Sequence, residues 1–121
     1  MTMDPDWEQT LFQLILHAGE ARSKAKEAAE SAREGDWDQA HKLFEEAQAE
    51  QLEAHKINAD IIRKEAKGDT PAFSVLLVHA LDLLLLAWSE MDYTEQYIDT
   101  CKRLQDLEAE VERWRSQGSK S

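Results

Sequence analysis

The sequence predicts an all-α protein built from three long helices, and three observations carry that prediction. The 121-residue chain holds only two interior breaker clusters, Gly35-Asp36 and Gly68-Asp69-Thr70-Pro71. The stretches between them are rich in Ala, Leu, Glu, Lys and Gln, whose side chains lose little freedom in a helix. Apolar residues in those stretches recur at steps of three and four, the period of a helix rather than of a strand. A chain of this length is large enough for one core and too small for a second, so we expect a single domain.

Helix 1 is expected over 5–34. Asp4 can cap its free N–H groups, and Pro5 suits the first helical position, where no N–H is needed. Trp7, Leu11, Leu14, Ile15, Ala18, Ala21, Ala25 and Ala28 then follow at helical spacing. Gly35 supplies the left-handed residue that closes a helix C-terminus.

Helix 2 is expected over 37–67, capped by Asp36, with Gln39 three residues on completing a capping-box-like exchange. Leu43, Ala47, Ala54, Ile57 and Ile61 form its apolar stripe, and Glu50 fills the one missing place. Gly68 ends it.

Helix 3 is expected over 71–116, with Thr70 as cap and Pro71 at the first position; residues 117–121 read as a disordered tail. At about 45 residues against about 30 for the others, it should exceed them by roughly 20 Å. Its first half, Val75 to Trp88, is apolar on nearly every side and broken only by His79 and Asp82. Such a helix must be covered all round, and with two partner helices the cover should come from oligomerisation. Its second half carries Leu104, Leu107, Val111 and Trp114 in alternating steps of three and four, a short coiled-coil pattern suited to self-association.

Composition excludes several classes. With 25 Asp+Glu against 14 Lys+Arg, a net charge of −11 speaks against nucleic acid, which needs a basic patch. The one cysteine, Cys101, cannot form an intrachain disulfide, and the acidic start Met1 to Asp6 is no signal peptide. Both features lead us to expect a cytoplasmic protein. The apolar run is shorter than a bilayer requires and contains two polar groups, so no membrane insertion is expected. Glu34 to Ala47 looks like half of a tetratricopeptide unit, but it does not repeat, and such arrays need several copies to bury a core.

His79 and Asp82 are the candidate functional pair, because residues three apart share one helix face. An imidazole is partly neutral near neutral pH and is then a competent nucleophile. A histidine satisfied by Asp82 or a backbone carbonyl is the plainer alternative. His17, His41 and His55 are expected to be structural or surface residues, Trp37, Phe44 and Phe73 to pack in the core or turns, and Met91, Tyr93, Tyr97 and Trp114 to be candidates for an exposed partner surface.

Several segments together resemble the IIA component of the lactose/cellobiose class of the bacterial phosphoenolpyruvate-dependent sugar phosphotransferase system, over roughly residues 10–104. They are His17 to Ser23, Gly35-Asp36-Trp37 with Ala40, Glu53-Ala54-His55, and Ser74 to Ala80 leading into Asp82. The resemblance implies an antiparallel three-helix bundle assembling as a homotrimer, with helix 3 at the threefold axis. It implies that His79 accepts a phosphoryl group from the phosphocarrier HPr and passes it to a IIB component. It requires no cofactor; a divalent cation shared by Asp82 of three subunits is the one candidate metal, with a structural role.

The family pattern His-Ala/Gly-Gln-Asp-His-Leu-Met reads His79-Ala80-Leu81-Asp82-Leu83-Leu84-Leu85 in this chain, so Leu81 and Leu83 replace a glutamine and a histidine. Three readings follow: a working phosphoryl carrier; a structural or engineered self-assembling trimer on the same scaffold with transfer lost; and a helical adaptor acting through the tail.

Overall fold

The computed structural model describes residues 3–118, which form three helices, α1 (Pro5–Arg33), α2 (Trp37–Ala66) and α3 (Val75–Gly118). No strand occurs among the described residues. The helices run up, down and up. His17 and Lys24 of α1 meet Glu50 and Glu46 of α2, an antiparallel order, while Leu11 and Leu14 of α1 cluster with Ala80 and Leu84 of α3, and Ala25 with Met91, a parallel one. α1 lies in the middle, packed along both other helices, and α2 touches α3 little.

The helix ends follow local chemistry. The Asp4 carboxylate accepts the Asp6 N–H at 2.8 Å, and Asp36 accepts the Gln39 N–H at 3.3 Å. At the end of α1, Gly35 turns left-handed at φ 81°, its N–H reaching the Ala32 carbonyl and that of Asp36 reaching Ser31. Gly68, at φ 91°, repeats the arrangement, with the Gly68 N–H on Glu65 and the Asp69 N–H on Lys64. Each satisfies carbonyls that the helix itself leaves without donors.

The third helix starts four residues later than expected. Pro71 does not open it; that residue is buried in a non-helical segment, and Ser74 is the cap, its Oγ accepting the Leu77 N–H at 3.1 Å. The segment is fixed from a distance, since the Trp7 indole N–H donates to the Asp69 carboxylate at 3.1 Å. Phe73 lies in this connection and is 86% exposed, not packed in a turn. At the other end Gln117 and Gly118 are helical, because nothing before Gly118 interrupts the helix; the rest of the expected disordered tail, 119–121, lies outside the described residues.

The core is thin and rich in alanine. Ala18, Ala21 and Ala28 of α1, Ala40, Ala47 and Ala54 of α2, and Ala80 and Ala87 of α3 are fully buried, whereas Leu11 and Leu14 are the only large side chains wholly buried among the described residues. Small side chains let helix axes approach, so backbone proximity replaces bulk along much of the bundle. The larger residues gather at the end near the connection, where Trp7, Leu11, Leu14, Ile61 and Leu84 meet. Met91 is buried against Ala25 and Ala47, with Phe44 packed beside them, so it belongs to the core and not to a partner surface.

Candidate functional site

The first turns of α3 position the candidate pair. Ser74 pins the first turn through its hydroxyl and its carbonyl, the latter accepting the Val78 N–H at 3.2 Å. Leu76 and Leu77 pack on the core, and Ala80 and Leu84 are buried in it. That anchoring fixes the rotation of the helix and turns His79 and Asp82, one turn apart, to the exposed side. Side chains on a helix lean toward its N-terminus, so the His79 imidazole lies over the first turn.

The electrostatics of that turn differ from those of the other helices. Asp6 and Glu8 occupy the first turn of α1 and Asp38 that of α2, but the first turn of α3 has no acidic residue. The positive end of the helix dipole and its free N–H groups are thus not already neutralised by a carboxylate, even in a chain of net charge −11. The first carboxylate of α3 is that of Asp82, one turn beyond His79.

The other histidines lie apart from this pair. His17 Nδ1 is 2.6 Å from Glu50 Oε2, an α1–α2 link that accounts for the polar residue interrupting the apolar stripe of α2. That interruption was the only trace of the link in the sequence. His55 lies against Trp88, ring centroids 5.7 Å apart, and holds α2 to α3. His41 is exposed on α2.

The surface around His79 is apolar. Val75, Val78, Leu81, Leu85, Leu86 and Trp88 are all exposed, so one chain covers a single stripe of α3 and not its whole circumference. Leu83 is half-buried. No three His, Cys, Asp or Glu side chains among the described residues come together to hold a metal ion. Asp82 offers one oxygen-donor group per chain. No helix among the described residues is long and apolar enough to cross a membrane.

Comparison with known proteins agrees with this arrangement. Residues 9–102 match the family model described as PTS system, Lactose/Cellobiose specific IIA subunit. The lichenan-specific phosphotransferase enzyme IIA component of Bacillus subtilis (strain 168) is 35% identical over 102 residues, 84% of this chain and 93% of that protein. The PTS system lactose-specific EIIA component of Staphylococcus epidermidis is 34% identical, covering 84% of this chain and 98% of its own length. Among solved structures, the PTS cellobiose-specific enzyme IIA from Bacillus anthracis superposes with a TM-score of 0.79 at 38% identity, over 81% of this chain and 90% of that one. The family match includes His79 and Asp82 and stops at residue 102, inside α3.

Proposed function

This chain belongs to the lactose/cellobiose-specific IIA family of the sugar phosphotransferase system, and from that premise we propose that it is a phosphoryl carrier, accepting phosphate from HPr on His79 and passing it to a IIB component. The observation that carries this reading is an exposed histidine over a helix N-terminus free of acidic side chains, inside the segment that matches the family. In the transfer the lone pair of the neutral imidazole attacks phosphorus, the donor's bond to phosphorus breaks as the new N–P bond forms, and the phosphoryl group keeps its oxygens throughout. The reverse exchange hands the group to the IIB acceptor. The rate rests on positioning and on stabilising the charge of the transferring oxygens. The anchored first turn supplies the first, and the positive end of α3 contributes to the second.

Association through α3 completes the proposal. The exposed leucines, Val78 and Trp88 leave large apolar side chains of α3 in water, and exposed apolar patches mark association surfaces. Three copies meeting along α3 would cover it, as the resemblance implies, and would bring three Asp82 carboxylates together. Those groups fit a shared divalent cation, whose part would be to offset their mutual repulsion and so hold the assembly. A cytoplasmic location is consistent with both exchange partners.

Leu81 and Leu83 favour a second reading, a retained trimeric scaffold without transfer, because neither can donate a hydrogen bond to a phosphoryl oxygen. The relatives named above are bacterial phosphotransferase components, which supports the carrier over an engineered assembly subunit. Native mass spectrometry before and after incubation with enzyme I, HPr and phosphoenolpyruvate tests both readings. We expect one acid-labile phosphoryl group per subunit on an assembled species, absent from His79→Gln. An assembled but unlabelled protein, beside a IIA control that labels, would leave the scaffold reading; label persisting in His79→Gln would place the acceptor elsewhere.

A further inference from the structure

We propose that the last four turns of α3 form a parallel, in-register coiled coil with the same segment of further copies of this chain, a clamp added to the body of the bundle. The bundle proper ends where Gln105 accepts the Trp37 indole N–H at 2.5 Å, beside the turn that joins α1 to α2. The helix continues to Gly118, projecting about 20 Å past that turn at 1.5 Å per residue. Leu104, Leu107, Val111 and Trp114 are 53%, 56%, 41% and 75% exposed along it. Their spacing makes Leu104 and Val111 a positions and Leu107 and Trp114 d positions of two heptads.

The flanking charges identify the occupant. Arg103 and Glu110 are then g positions, Glu108 and Arg115 e positions. In a parallel coil each g residue meets the e residue five places on in its neighbour. Here that pairs Arg103 with Glu108 and Glu110 with Arg115, opposite charges in both cases. A slip of one heptad sets Arg103 against Arg115 or Glu110 against Glu108, so the same four residues favour one register. The ion pair of Lys102 with Asp106, 3.8 Å, uses f and c positions and stays on the outside. Direction follows from continuity, since the tail prolongs without a break the helix whose apolar face is proposed to associate around a common axis. The direction thus rests on that reading, whereas the tail contact itself does not.

Two exchanges that leave the net charge at −11 test the arrangement in the full chain. Arg103→Glu with Glu108→Arg restores attraction in a parallel coil. In an antiparallel coil, where g meets g and e meets e, the same exchange sets the new acid against Glu110 and the new base against Arg115, like charges in both cases. Arg103→Glu with Glu110→Arg does the reverse. By sedimentation velocity over a dilution series, the first variant should associate like the parent within about twofold. The second should dissociate on the order of tenfold more readily, as several surface pairs turn from attraction to repulsion. A third variant, Leu107→Glu with Val111→Glu, should weaken assembly while circular dichroism shows the helices intact. The proposal is overturned if the third variant associates as tightly as the parent, or if the first weakens assembly and the second spares it. If the third variant is monomeric while the parent assembles, the clamp stands and association through the body of α3 fails.

Discussion

At the scale of single residues, the proposed chemistry depends on what surrounds His79, and the chain has two leucines where the family pattern has polar groups. Leu81→Gln combined with Leu83→His should raise the rate of phosphoryl transfer from HPr by about tenfold or more, measured by rapid quench, since a missing donor to a transferring oxygen typically costs at least that much. An unchanged rate would show that positioning by the anchored first turn is enough. A second residue-scale prediction concerns acid. The Lys24 ammonium donates to the Glu46 carboxylate at 2.9 Å, and that hydrogen bond holds Glu46 below its ordinary value of 4.5. A carboxyl depressed in the folded state adds stability above its unfolded pKa and loses it as pH falls through the folded one. The stability gap between the parent and Lys24→Met should therefore be constant from about pH 5 to about pH 9 and close below that range, as urea titrations at a series of pH values would show. His17 with Glu50 was the pairing that the sequence hid: the interruption at Glu50 was visible, but its partner lies 33 residues away and is found only by packing.

At the scale of elements, α1 and α2 were legible because their ends are settled locally. Asp4, Gly35, Asp36 and Gly68 each act on backbone groups within a few residues of themselves. The start of α3 was not, because Thr70-Pro71 and Ser74 both satisfy the rules for a helix start, and the choice between them is made by burial of Pro71 and by Trp7 holding Asp69 from 62 residues away. Ser74→Ala should cost about 1 kcal/mol in chemical denaturation, the usual worth of a hydroxyl cap, whereas Thr70→Ala should cost close to nothing. Equal losses would mean that the helix can start at either place. His79 and Asp82 stood out in the sequence because they interrupt an apolar run; that they face outward depends on Ala80 and Leu84 being the residues that α1 accepts.

At the scale of the whole molecule, a thin alanine core and an exposed apolar helix face fit the proposed assembly, in which each subunit would share its folding free energy with its neighbours. Anything that binds the folded form alone stabilises it by mass action, and another copy of the same chain is such a ligand. The thermal midpoint should rise by a few degrees for each tenfold increase in protein concentration. Leu86→Glu, which places a charge on that face and leaves the tail intact, should lower the midpoint and weaken its concentration dependence. A midpoint indifferent to concentration in the parent would mean that the monomer suffices.

The four tryptophans offer an optical consequence. Trp7 is buried at the end of the bundle where the chain crosses to α3, Trp37 stands at the α1–α2 turn, Trp88 lies against His55, and Trp114 stands in water on the projecting helix. With the other three replaced by phenylalanine one set at a time, the emission of each remaining indole would report one locality. A blue shift confined to Trp114 would time the closing of the tails separately from the assembly of the bundles, with no dye attached.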